Sequence, residues 1–247
     1  MSNFQGLSIA DLPAPLAEAL AWQPPGLGKR ERTRRQLLLA AVRVFGARGV
    51  AAATIQEIAL VAGMTPGTVY NHFDTKDAIV AALAMWMAQA LNDRILQSLD
   101  GVADGAQRTV IGHRRHAWLA RESPRWSLLL LEVSASVPDV MHHIARFALA
   151  DLRLGMAQQS FHVASEGAAM DLILGLGSQV MQTMAGGQAA AHHDVATATV
   201  LLRGLGMPGE RAAEVACRPL PDFPPLGAPP RHPPVGSGAV AAFVPTA

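Results

Sequence analysis

Residues 54–73 read Thr-Ile-Gln-Glu-Ile-Ala-Leu-Val-Ala-Gly-Met-Thr-Pro-Gly-Thr-Val-Tyr-Asn-His-Phe, and their spacing predicts two short helices joined by a tight turn. Thr54 is placed to cap the first helix, because its hydroxyl can accept from an otherwise unpaired backbone N–H. Glu57, three residues on, completes a capping box. Ile55, Ile58 and Ala59 recur at helical spacing and give one apolar face. Gly63 stands where this helix must stop, since glycine reaches the left-handed turn conformation at little cost. Thr65 caps the second helix, and Pro66 fits its first position, where no N–H is needed. Val69 and Phe73, four apart, are predicted to face the core. Thr68, Asn71 and His72 are left on the outer face, with Tyr70 beside them.

That outer face suits a nucleic acid. Hydroxyls, an amide, a phenol and an imidazole can all bond phosphate oxygens or base edges. Gly67 lets the backbone approach closely, and a helix N-terminus favours phosphate. A helix-turn-helix sets its second helix in the major groove in this way. Charge placement points the same way. The whole chain of 247 residues carries 20 basic and 19 acidic side chains. Residues 29–77, by contrast, hold eight basic against four acidic groups. Five of the cations (Lys29, Arg30, Arg32, Arg34 and Arg35) crowd together ahead of the motif. Such groups release counterions from DNA and give affinity without regard to sequence.

From about Arg30 to Leu83 the chain resembles the N-terminal domain of TetR-family transcriptional regulators. The matching positions include Leu38, Ala41, Val42, Phe45 and Gly49 in a basic helix. They continue with Thr54, Ile58-Ala59, Ala62-Gly63, Gly67-Thr68-Val69-Tyr70, His72-Phe73, Lys76 and Ile79. The resemblance implies phosphate contacts from Thr54, Tyr70, His72 and Lys76. It implies groove contacts from Thr65, Gly67, Thr68 and Asn71, and Arg34 joins them from the basic cluster. Pro66 departs from the family pattern: many members carry a polar or basic residue there, so one base or phosphate contact is removed.

Half of the chain is hydrophobic and few residues are aromatic. No sustained alternation predicts strands. The expected fold is all-α, with a three-helix DNA-binding domain over 29–83 and a larger helical effector-binding and dimerisation domain over 84–217. Residues 1–28, with four prolines, read as a flexible extension, although Leu12, Leu16, Leu20 and Trp22 could form a short docking turn. Residues 218–247, with nine prolines, read as a disordered tail. Within the second domain, helices are predicted from Lys76 to about Leu99, from Gly105 to Arg121, from Pro124, after Pro138 toward Phe161, and over 166–185 and 194–205. The single Cys217 rules out an internal disulfide and fits a reducing cytoplasm. Neither a signal peptide nor a bilayer-spanning run is evident.

The resemblance implies that residues 166–205 pair with their mates in a homodimer. It also implies an effector cavity, for which Trp86, His113, His116, Trp118, Trp126, His142 and Arg146 are candidates on residue type, as are His143 and Met156. His113 and His116 have possible metal-ligand spacing, but no thiolate or placed carboxylate accompanies them, so neither a metal nor a cofactor is expected. Nucleophile elbows and phosphate loops are absent from the sequence, which argues against an enzyme. The expected function is a ligand-responsive regulator, most simply a repressor, that binds a palindromic double-stranded DNA operator as a homodimer. The alternative is a helical interaction protein without sequence-specific DNA binding.

Overall fold

The computed structural model describes residues 8–22, 26–136 and 138–226. Their regular structure is entirely helical, with no strand among the described residues. The chain begins with a turn of 3-10 helix, Ile9–Asp11, and a first helix α1, Ala14–Ala21. Three helices then form the head: α2 Lys29–Ala52, α3 Ile55–Ala62 and α4 Pro66–Tyr70. The body follows as α5 Lys76–Ser98, α6 Gly105–Glu122, α7 Pro124–Ser136, α8 Pro138–Ala157, α9 Glu166–Ala185, α10 His193–Gly204 and α11 Gly209–Cys217. The sequence pattern anticipates all of the body helices except α11.

One hydrophobic core runs from the head into the body. Leu38, Phe45, Ile58, Val69 and Phe73 are buried with Ile79, Leu83 and Leu91 of α5, and the same cluster continues to Trp126 and Leu130 of α7. A second cluster, with Leu201, Leu202 and Val215, fastens α10 and α11 against α6 through Ala106 and Val110. Helix α6 is thus the centre of the body, with neighbours on every side.

Residues 8–22 correct the expectation of a flexible extension. Leu12, Leu16 and Leu20 are buried, and α1 packs along α5. The docking is also polar. Trp126 Nε1 donates to the Ser8 carbonyl at 2.8 Å, Ser123 Oγ donates to the Asp11 carbonyl, and Arg35 Nη1 donates to the Trp22 carbonyl at 2.9 Å. An amphipathic turn is marginal alone; burying three leucines against an existing core supplies what propensity does not.

The first residues after α11 are packed too, against the expectation for 218–247. Arg94 donates to the Pro224 carbonyl at 2.7 Å, and Arg115 donates to that of Pro221. The Phe223 ring lies 3.8 Å from the Arg115 guanidinium carbon and 5.4 Å from the Trp118 ring. Proline cannot donate a hydrogen bond, but its carbonyl accepts one, so buried arginines can hold a stretch that forms neither helix nor strand. Residues 227–247, which hold five of the prolines of the expected tail, lie outside the described residues.

Helices α6 and α8 cross at glycines. A Cβ on Gly105 would sit 2.4 Å from the Gly155 backbone nitrogen, and one on Gly155 would sit 2.4 Å from the Phe161 ring. Gln158 locks the crossing, accepting from the Gly105 N–H at 2.8 Å and donating to the Ala103 carbonyl at 2.7 Å. Because backbone, unlike a side chain, cannot swing aside, Gly105→Ala is expected to destabilise the protein by about 2 kcal/mol or more. The measurement is a lowered denaturation midpoint in urea; an unchanged midpoint contradicts the close crossing.

Candidate nucleic-acid interface and internal cavity

In the head, Thr54 Oγ1 accepts from the Glu57 N–H at 3.2 Å, and the Glu57 carboxylate accepts from the Thr54 N–H at 3.0 Å. These bonds from Thr54 hold the Glu57 carboxyl below the usual carboxylate range; burial opposes the effect and Arg48 adds to it. Gly63 ends α3 at φ 66°, ψ 34°, the left-handed geometry that needs no Cβ. Gln36 Nε2 donates to the Ala62 carbonyl at 2.9 Å and ties the turn to α2.

Helix α4 is only five residues long, so its own hydrogen bonds cannot sustain it. It persists because Thr65 caps it, accepting from the Thr68 N–H at 3.3 Å, and because Val69 and Phe73 anchor it in the core. The opposite face stays open. Thr65, Pro66, Gly67, Tyr70 and Asn71 are exposed, and Thr68 and His72 are half-buried. Burial, followed by the charges of Arg30 and Arg34, pushes the His72 imidazole below the ordinary histidine range, and its Nδ1 has no partner. Arg34 is half-buried, its guanidinium 4.9 Å from the Phe73 ring centre. Lys76 is the surprise among the expected contacts. Its ammonium donates to the carbonyls of Ala51 at 2.9 Å and Ala53 at 3.0 Å, tying down the turn that follows the break in α2 at Gly49 (φ 75°, ψ 158°). One of its three donors is left over.

The body encloses a cavity of about 110 Å³ between α5, α6, α7, α8 and α9, where a single water needs ~10–15 Å³. Most of its wall is apolar, with Ile95, Leu130, Ile144, Phe147, Ile173 and Met181 contributing. Arg108 and Asp151 also line it and pair with each other at 2.6 Å. Burial raises the Asp151 carboxyl and Arg108 partly offsets this. Besides the hydroxyl residues Thr109 and Ser178, the polar part of the wall holds Asn92, His116 and Ser134. Each carries a buried atom, Asn92 Nδ2, His116 Nε2 and Ser134 Oγ, with no hydrogen-bond partner.

Of the residues expected to line a cavity, only His116 does. Trp86 is buried in the core shared with the head, under the Arg35 guanidinium. His113 turns toward α10, with Nε2 3.0 Å from Thr197 Oγ1; burial, chiefly, lowers it to about 4. Trp118 packs against Phe223, and Trp126 holds the N-terminal segment. His142 and Arg146 are exposed, and Arg146 covers its neighbour Phe147. His143 and Met156 are not in the wall either. Because His113 and His116 serve different neighbours, their spacing builds no shared metal site. Asn92 and Ser134 line the cavity but are not among the candidates that residue type suggests. Neither stands out in the sequence: Asn92 is followed by Asp93 and Arg94, and Ser134 lies between Glu132 and Ser136.

Two family models match the chain. One, for bacterial regulatory proteins of the tetR family, covers residues 37–83; the other, for a tetracyclin repressor-like C-terminal domain, covers residues 104–218. Among curated proteins, the HTH-type transcriptional regulator TtgR of Pseudomonas putida is 47% identical over 53 residues, 22% of this chain and 25% of that protein. The HTH-type transcriptional repressor Rv3405c of Mycobacterium tuberculosis is 36% identical over 86 residues, 35% of this chain and 45% of that one. The chain therefore spans between about a quarter and a half of the length of these curated relatives. Among solved structures, RolR in complex with resorcinol superposes with a TM-score of 0.66 at 26% identity, over 79% of this chain and 98% of that one. FadR from Bacillus subtilis in complex with stearoyl-CoA has a TM-score of 0.56 at 18% identity, over 70% and 97%, a likeness of fold alone.

The reciprocal cap is the local device on which the start of α3 depends. Thr54→Ala is expected to cost about 1 kcal/mol of stability, read as a lower thermal midpoint. Thr54→Ser, which keeps the hydroxyl, should stay near the parent.

Proposed function

Because the chain belongs to the TetR family of bacterial transcriptional regulators, we propose that it acts as a repressor released by a small-molecule effector. A homodimer binds a palindromic operator in double-stranded DNA, and each α4 enters the major groove of one half-site. The observation that carries this is the open polar face of α4, held outward by Val69 and Phe73 while Thr65, Gly67, Tyr70 and Asn71 stay exposed. Thr54, Tyr70, His72 and the remaining donor of Lys76 then hold phosphates, with Arg34 beside them. Thr65, Gly67, Thr68 and Asn71 face the bases, and Pro66 adds van der Waals contact only.

Dimerisation falls to α9 and α10. Their outer sides expose small and apolar residues (Ala168, Gly175, Ala196 and Val200), which allow a close approach by a second copy. The effector enters the cavity in the body. RolR, of the same fold, is known in complex with resorcinol, which supports a small molecule in the corresponding domain here. Helix α5 connects the two functions: its first turn is fixed to the head by Lys76, and Asn92, Ile95 and Leu96 near its end form cavity wall. A ligand that prefers one placement of α5 shifts the spacing of the two heads by that preference and no more. A helical interaction protein without DNA recognition has less support, since nothing in the described chain covers the α4 face. Among the described residues, no helix is long and apolar enough to cross a membrane. We place the protein in the cytoplasm and assign it no catalysis.

Footprinting on the DNA flanking the gene tests this reading. A short palindrome should be protected, and protection should weaken steeply as salt rises. Tyr70→Ala should lower affinity for all sequences alike, whereas Asn71→Ala should change the preferred sequence, each by about 1–3 kcal/mol. No saturable protection at low salt, or unchanged affinity in both variants, defeats the assignment.

A further inference from the structure

The stretch after α11 is tied to two different helices. Arg218 leaves α11 at φ -58°, ψ 142°, close to polyproline II geometry, and residues 219–225 form neither helix nor strand. At its start, Arg114 of α6 donates to the carbonyls of Ala216 at 3.2 Å and Arg218 at 2.7 Å. Arg218 in turn donates to Gln107 Oε1, also of α6, at 3.2 Å. Further on, Arg115 of α6 donates to the Pro221 carbonyl. Beyond it, Arg94 of α5 donates to the Pro224 carbonyl at 2.7 Å. Pro221 and Pro224 are three residues apart, the repeat of one polyproline II turn, so their carbonyls can face the same side. The Phe223 ring between them lies against both guanidinium groups, 3.8 Å from that of Arg115 and 5.3 Å from that of Arg94, and beside Trp118. One ring thus links a side chain of α5 to two of α6.

The link matters because α5 and α6 touch each other little directly, although both form cavity wall. Arg94, Arg115, Trp118 and Phe223 are not in that wall, so the bridge is made outside it. Proline enters such a bridge with φ already set, and the undocked segment has less conformational entropy to lose.

We propose that residues 218–224 are a strap that clamps the distal half of α5 to α6 and so sets the resting place of the helix that joins cavity to head. Its consequence for DNA rests on the regulatory reading given above. A strapped α5 holds each head in one position before DNA arrives. An unstrapped α5 samples several, and the operator must then order it on binding, which weakens the complex.

The test is hydrogen–deuterium exchange of the full chain, with footprint titration on the DNA flanking the gene, for the parent, Phe223→Ala, Phe223→Leu and Phe223→Tyr. Tyrosine keeps the ring face, leucine keeps only apolar bulk, and alanine keeps neither. In Phe223→Ala we expect the amides of residues 90–98 to exchange about tenfold faster or more, while those of α3 stay as in the parent. The same palindrome should be protected with about threefold or more weaker affinity. Phe223→Tyr should match the parent, and Phe223→Leu should fall between. Unchanged exchange at 90–98 in Phe223→Ala overturns the strap. Equal acceleration in every helix overturns it too, since that marks a general loss of stability. Faster exchange at 90–98 with unaltered affinity overturns the strap's hold on the heads. If the parent itself protects no DNA, the regulatory reading falls, while exchange at 90–98 still decides the clamp. Should Phe223→Ala not fold, Pro224→Gly, which loosens the strap and leaves every side chain of α5 and α6 in place, is judged by the same outcomes.

Discussion

One ammonium group joins the two halves of this molecule. Lys76 stands in the first turn of α5 and reaches back to two carbonyls at the end of α2. Those carbonyls follow the break in α2 at Gly49, where no helical N–H comes after to receive them, so the contact answers a need that the chain has in any case. The consequence is mechanical. Helix α5 is continuous over its 23 residues, and a rigid rod pinned at one end moves its pinned partner when its far side moves. The far side is cavity wall. Head and body share a hydrophobic core along the same rod, which leaves no soft linker in which a displacement could be lost.

The arginines of the body follow a related logic. Arg94 and Arg115 are among the most buried charged residues of the described chain, and burial pushes both guanidinium groups below their ordinary range, Arg115 to about 10. Neither relies on a carboxylate at hydrogen-bond distance; backbone carbonyls after α11 receive them. Arg114 divides itself between Asp194 and the carbonyls of Ala216 and Arg218. Charges buried in this way anchor segments that have no regular structure. Arg94 and Arg115 still leave their Nε atoms without a partner, as do Asn92 Nδ2, His116 Nε2 and Ser134 Oγ of the residues around the cavity.

The sequence revealed the head almost completely, because its architecture is written in local rules. Thr54 with Glu57, Gly63, and Thr65 with Pro66 act within three or four residues of themselves, and each stands in the structure with the geometry its residue type demands. The body helices were legible for the same reason. What local pattern could not show was where long-range burial would capture weak segments. Residues 8–22 carry a leucine stripe whose value depends on packing against α5 and on bonds to Ser123 and Trp126, all far along the chain. The cavity was harder still. A tryptophan or histidine looks like a ligand contact by type, yet Trp86 and Trp126 are bulky enough to be consumed by the core, and His113 is consumed by Thr197. Cavities form where packing fails, and single-sequence periodicity records only where it succeeds.

The N-terminal segment carries an implication for how the reading head should be understood. The family model for that head begins at residue 37, yet Arg35, just outside it, faces Trp86 of α5 and is tied to the Trp22 carbonyl, while α1 covers the back of α5. The strand of chain before the recognised domain is therefore a buttress, shared by both halves of the protein. A fragment cut to the domain's formal limits would shed this support and lay bare a greasy flank of α5, so the helix-turn-helix and the cavity-bearing body form a single mechanical unit.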